Sequence, residues 1–146
     1  MKKISALGLD IGGKRIGVAG CDGLGLFATG LTTVVRTSFA NDVEQFKKIV
    51  DEREAKILVV GLPYAMNGTI GTQAKQVQKY AQRLAKALEL PLEYIDERLT
   101  SVEAEEHLKR QKRFSTRDKG AIDRQAATII LQQWLEQRRA SESQNL

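Results

Sequence analysis

The chain is poor in the two side chains that most often do nucleophilic and general-base work. Among 146 residues there is one cysteine, Cys21, and one histidine, His107. A single cysteine excludes an internal disulfide and fits a reducing compartment. With no histidine near it in sequence, Cys21 reads as a small buried thiol in a strand. His107 finds no catalytic partner in the pattern and reads as a helix-surface residue. No apolar run approaches the length that spans a bilayer. The opening Met1-Lys2-Lys3 imitates the basic start of a secretion signal, but Asp10 interrupts the apolar stretch too early for one. The expectation is a soluble, cytoplasmic protein with no membrane partner. Internal repeats, low-complexity stretches and linkers are also absent. One domain over residues 1–139 is therefore expected, with 140–146 a polar, disordered tail.

What is present is ordinary globular composition, 42% hydrophobic and 28% charged, with a formal net charge of +5. That charge favours an anionic partner. Residues 4–11 read as a strand apolar on both sides, as in the middle of a covered sheet. Residues 14–21 and 26–36 continue as strands, joined through Gly12-Gly13 and Asp22-Gly23, so the chain opens as an antiparallel meander. The period then changes. Residues 41–53 and 72–89 carry apolar side chains at helical spacing, 56–62 and 91–95 read as strands, and 119–139 as the last helix. Thr100 and Glu103 form a capping box for a helix before it. The order predicts an α/β fold: a mixed five-stranded sheet, three antiparallel strands then two parallel, with helices on both faces. This is the order of the ribonuclease H-like architecture.

Three acids stand where chemistry on phosphates would need them. Asp10 ends the first strand and opens into Gly12-Gly13-Lys14-Arg15. Asp96-Glu97 follows the strand 91–95, on the edge where βα loops gather. Asp123 shares a helix face with Ala127, Ile130 and Trp134, which points it inward. Magnesium takes hard oxygen ligands from converging elements, and a pair of such ions activates water and stabilises a leaving oxygen in phosphodiester hydrolysis. Each acid also has a structural alternative. Asp10 could accept hydrogen bonds from the glycine turn, Glu97 could pair with Arg98 or Lys119, and Asp123 could pair with Lys119 one turn earlier. Asp96 is the weakest of the set.

The cations are grouped as well. Lys109, Arg110, Lys112, Arg113, Arg117 and Lys119 crowd the segment between the last two helices, and Lys14, Arg15 and Arg98 adjoin the acids. A nucleic-acid-binding surface that tracks phosphates is the functional reading; a solvated face is the structural one. Phe114 could stack on a base or anchor its loop. The glycine-rich stretch 63–71 could hold a phosphate or be a plain βα turn.

Four ordered segments, LGLDIGGKRIGVA, VVGLPYAMNGTIG, DERLTS and KGAIDRQAATIILQQWL, resemble the signatures of the YqgF/RuvX family across Leu7 to Leu135. The resemblance implies a ribonuclease H-like fold related to RuvC resolvases. It implies a nuclease dependent on Mg²⁺ or Mn²⁺, acting on the 5′ end of the precursor of 16S rRNA or on Holliday junctions. The family's acidic positions fall on Asp10, Glu97 and Asp123. RuvC-type resolvases carry their second acid on the fourth strand, whereas here that strand reads KILVVGLP. Glu97 would have to reach in from the next strand, about 5 Å away. Two other functions remain open: a non-catalytic module bound to RNA or the ribosome, and an ATP-handling actin-like relative using the Asp-Ile-Gly-Gly turn. No large exposed apolar stripe is apparent, so a monomer or weak homodimer acting on RNA is expected, with branched DNA the other substrate.

Overall fold

Alternation of large and small side chains along the first two strands decides what each face of the sheet can hold. The computed structural model describes residues 4–63, 70–97 and 119–144. In chain order the elements are β1 (Ala6–Ile11), β2 (Arg15–Cys21), β3 (Ala28–Val35), α1 (Phe39–Arg53), β4 (Ile57–Leu62), α2 (Thr72–Leu88), β5 (Leu92–Asp96) and α3 (Lys119–Gln144). The sheet order is β3-β2-β1-β4-β5. β1 pairs antiparallel with β2, and β2 with β3; β1 and β4 pair parallel, as do β4 and β5. The mixed five-stranded sheet expected from the sequence is thus the one formed.

Leu7, Leu9 and Ile11 of β1, with Ile16 and Val18 of β2, point to one face and pack with Val43 and Phe46 of α1 and Val77, Ala81 and Leu84 of α2. The opposite face of these strands is lined by Ala6, Gly8, Gly17 and Ala19, and this face receives α3. The small residues matter because the helix lies almost on the strands. A Cβ on Gly8 would stand 2.6 Å from Leu131 Cβ, and one on Gly17 would run into the carbonyl of Asp123. Close approach buries Ala127, Ile130 and Leu131 and fixes the first turn of α3 over β2.

Helix ends explain where the boundaries differ from the sequence reading. α1 begins at Phe39 rather than residue 41, because Ser38 is its N-cap and its Oγ accepts from the Asn41 amide at 3.1 Å. Residues 140–144, expected in a disordered tail, instead continue α3 as helix to Gln144. An Arg138–Glu142 ion pair of 3.2 Å at i,i+4 spacing spans that extension. The helix expected to start at Thr100 lies outside the described residues. Among the described residues, no helix is long and apolar enough to cross a membrane. Cys21 is buried with its thiol free, 3.5 Å from the Ile4 carbonyl.

One buried charge stands out on the α1–α2 face. Asp42 is 2% exposed and is fully employed: Oδ2 accepts from the Tyr80 hydroxyl at 2.9 Å and Oδ1 from the Thr37 amide at 3.1 Å. It ties α1 to α2 and to the segment leaving β3, and is a structural acid.

Candidate active site

Side-chain direction in β1 follows from its neighbours. Gly8 faces α3, so Asp10, two residues on, faces α3 as well. It lies opposite Gly17 of β2, the strand over which the start of α3 is laid. Asp10 is therefore roofed by the turn of helix that carries Asp123. Burial pushes its carboxyl up to about 7, and the negative charges of Glu97 and Asp123 push in the same direction. Burial is the larger influence on Asp10 and the two acids the next, and no hydrogen bond from the Gly12-Gly13 turn enters among them. The three acids named from the sequence occupy one electrostatic neighbourhood.

Glu97 follows β5 directly, two strands away from Asp10 in the sheet. The intervening strand supplies the opening. Parallel pairing of Leu9 with Val60 places Asp10 level with Gly61 of β4, and Gly61 in turn pairs with Ile95. The Glu97 carboxylate lies over Gly61: its Oε1 is 2.7 Å from the point a Cβ would occupy there. The glutamate that follows β5 lies over β4 because Gly61 puts no side chain in its path. Burial raises the Glu97 carboxyl above its ordinary value, and the adjacent Asp96 raises it further. Asp96 itself closes β5 opposite Leu62.

Asp123 is held differently. Its Oδ2 accepts a hydrogen bond of 2.8 Å from Arg15 Nε, an ion pair between the start of α3 and the start of β2. The sequence pattern offers Arg15 as a phosphate contact and Lys119 as a structural partner of Asp123; among the described side chains Arg15 is bonded to Asp123. Lys14 is exposed at the turn between β1 and β2. Arg98, Lys109, Arg110, Lys112, Arg113, Arg117, His107, Phe114 and residues 64–69 lie outside the described residues, as does the side chain of Lys119.

Gly61 and Gly17 were missed as site residues. Glycines inside strands mark close backbone approach, and VVGLP and RIGVAG carried that signal. Arg36 was missed too. Its Nη1 donates to the Gly12 carbonyl at 2.7 Å, bracing the turn beside Asp10, while its guanidinium lies 4.2 Å above the Tyr80 ring.

Asp10, Glu97 and Asp123 come from three separate parts of the chain, and burial, with the charges of the other two acids, raises the Asp10 carboxyl to about 7; carboxylate oxygens of this kind fit a divalent hard cation in donor type and charge. Among the described residues no three such side chains already stand as a finished metal cage. Asp123 Oδ2 is instead engaged by the Arg15 guanidinium at 2.8 Å.

Residues 4–137 match the family model described as RuvX, Holliday junction resolvase. A protein of Gloeothece citriformis named as a candidate pre-16S rRNA nuclease is 75% identical over 139 residues, covering 95% of this chain and 92% of its own. One of the same name from Rippkaea orientalis is 74% identical, covering 95% and 100%. Among solved structures, Thermus thermophilus RuvC in complex with a Holliday junction substrate superposes with a TM-score of 0.58 at 12% identity, covering 93% of this chain and 96% of RuvC. That likeness concerns the fold.

Proposed function

The chain belongs to the RuvX family, and from that footing we propose that it is a divalent-metal-dependent endonuclease maturing the 5′ end of the 16S rRNA precursor in the cytoplasm. The observation that carries the chemistry is the coupling of Asp10 to Glu97 and Asp123 on the α3 face of the sheet. Burial and the charges of Glu97 and Asp123 together raise the proton affinity of Asp10, and carboxyls perturbed in this way are enriched where a cation or a proton transfer is used. Asp10, Glu97 and Asp123 would hold Mg²⁺ or Mn²⁺, which would activate water and stabilise the departing oxygen.

The protein's own groups set the rest. Gly61 lets Glu97 approach, and Gly17, the β2 partner of Asp10, lets the turn of α3 that carries Asp123 lie against β2. Arg15 pairs with Asp123 at 2.8 Å, and with that carboxylate engaged by a cation its guanidinium would be available to a phosphate. Lys14, exposed on the adjoining turn, adds a backbone contact that positions without reading sequence. The relatives' names favour rRNA precursor as substrate.

The test offers purified protein and its Asp10→Asn variant, with Mg²⁺ or Mn²⁺, two substrates side by side: 16S rRNA precursor and a four-way DNA junction. Metal-dependent cleavage of the precursor, lost in the variant, is expected. Cleavage confined to the junction would transfer the function to DNA. Absence of cleavage on both, with the protein folded, would leave a non-catalytic RNA-binding module.

A further inference from the structure

α2 differs from α1 in its charge pattern. Across Thr72–Leu88 there are four cations, Lys75, Lys79, Arg83 and Lys86, and no aspartate or glutamate. α1 by contrast interleaves Lys47, Lys48 and Arg53 with four acids, Asp42, Glu44, Asp51 and Glu52. The buried stripe of α2 is Ala74, Val77, Tyr80, Ala81, Leu84 and Ala85, and all four cations are exposed on the other side. Lys75, Lys79 and Arg83 recur every four residues, so they form one ridge, its members about 6 Å apart along the axis. Solvated lysines are common on helices; a helix of this length with no compensating acid is less so.

The ridge is also joined to the catalytic end of the sheet. α2 starts after β4, on the edge where Glu97 leaves β5. The Arg83 guanidinium sits 4.1 Å over the Phe39 ring, and Arg36 sits over Tyr80 while bonding the Gly12 carbonyl beside Asp10. Stacking on a ring holds a guanidinium in place and leaves its charge outward. A line of positive charge thus runs from the turn at Lys14 through Arg36 to Arg83, on the face of the sheet opposite α3.

We propose that the Lys75–Lys79–Arg83 ridge of α2 is a second contact surface for the sugar–phosphate backbone of the nucleic acid, gripping the polymer away from the bond that is cut. The proposal rests on the nuclease reading for the identity of the ligand and extends the footprint to a helix that carries none of the site acids. Each lysine or arginine on such a ridge displaces counterions from the phosphates it meets, which makes its contribution measurable as salt dependence.

Binding is measured on metal-free protein, so that no cleavage occurs, by titrating fluorescent rRNA-precursor fragment at several salt concentrations. Lys75→Gln/Lys79→Gln/Arg83→Gln is expected to weaken binding at least tenfold near 0.1 M salt. The slope of log K against log salt should become shallower by roughly 0.7–0.9 for each phosphate that the ridge no longer neutralises. With Mg²⁺ present, KM should rise and kcat should stay within twofold. Lys75→Gln/Lys79→Gln, which leaves the Arg83–Phe39 stack intact, should show the same trend and guards against a folding artefact. Lys47→Gln/Lys48→Gln on α1 should change neither quantity. An unchanged slope in the ridge variants, with wild-type protein binding and cutting normally, overturns the ridge and leaves the nuclease standing. Such a result would assign the ridge to another partner, such as an acidic protein surface. If wild-type protein bound no nucleic acid, both readings would fall together.

Discussion

Glu97 and Gly61 form a pair in which one residue acts by having no side chain. The glutamate leaves β5, and its Oε1 rests 2.7 Å from the position of a Cβ on Gly61, on the strand between Glu97 and Asp10. An acid can therefore serve a site two strands away without distorting the sheet. The Gly61 position also abuts Ile130 Cδ1 at 2.5 Å, so the opening is bounded by α3 on its far side.

Gly61→Ala tests that arrangement. The new methyl displaces the Glu97 carboxylate, the Ile130 terminus, or both. Overpacking of this kind costs about 1–3 kcal/mol of stability, while a misplacement of about 1 Å at a reacting group costs on the order of 100-fold in rate. Cleavage should fall ten- to a hundredfold through kcat, with nucleic-acid binding unchanged and the far-ultraviolet dichroism native. Adding Ile130→Val should recover part of the stability and little of the activity. Full activity in Gly61→Ala would show that Glu97 does not need its path over β4.

The acids leave a signature in stability as well as in rate. Asp10 is raised from an unfolded value of 3.8 to about 7 by burial and by two neighbouring negative charges. A group whose folded pKa is raised contributes stability that is full below pH 4 and is lost as pH climbs through 7. Metal-free protein should therefore lose melting temperature between pH 4 and pH 7. Asp10→Asn should flatten that loss and melt higher than wild type at pH 8, by an amount on the order of a few kcal/mol. Mg²⁺ should raise the melting temperature of wild type at pH 8 and leave Asp10→Asn nearly unmoved. Equal metal-free melting curves for the two proteins at pH 8 would contradict the charge crowding at this position.

In the proposed site, Arg15 would compete with the cation for the Asp123 carboxylate. The ion pair of Arg15 and Asp123 is 2.8 Å long but both side chains keep solvent contact, at 34% and 20% exposure, so it contributes at most about 1 kcal/mol to folding. Arg15→Ala should leave stability within that margin and free a carboxylate. Mn²⁺ affinity measured calorimetrically should rise several-fold, while affinity for rRNA precursor should drop. Opposite movement of these two affinities distinguishes a residue shared between acid and phosphate from a purely structural ion pair, whose removal would move neither.

The fold was legible because its strands and helices differ in period, and the acids because each ended or faced a recognisable element. Asp10, Glu97 and Asp123 could be named without coordinates. Their coupling through Gly61 and Gly17 could not, because a glycine's contribution there is the space it leaves, and only the register of β4 and the placement of α3 show what fills it. The Arg15–Asp123 pair was hidden for a related reason. Helical spacing offers only Lys119, one turn away, whereas Arg15 bonds Asp123 from β2, far away in sequence. The end of α3 departs from expectation because a polar terminus normally frays, whereas the Arg138–Glu142 spacing supports helix here.

The glycine-lined face under α3 makes a last, contrasting pair of substitutions. Gly17→Ala would drive a methyl into the Asp123 carbonyl, a backbone atom that cannot rotate away, so the first turn of α3 must lift from β2. Gly13→Ala adds the same methyl at the β1–β2 turn, where nothing lies within 4 Å of its Cβ position. Gly17→Ala should lose about 2–4 kcal/mol in denaturant unfolding, a size associated with strain in a packed core, and should lose cleavage by more than that stability change explains, since Asp123 moves with the turn. Gly13→Ala should stay within about 0.5 kcal/mol and keep its activity. If both variants behaved alike, α3 would not be seated as closely on β2 as the Asp123 carbonyl places it, and the position of the third acid would lose its structural basis.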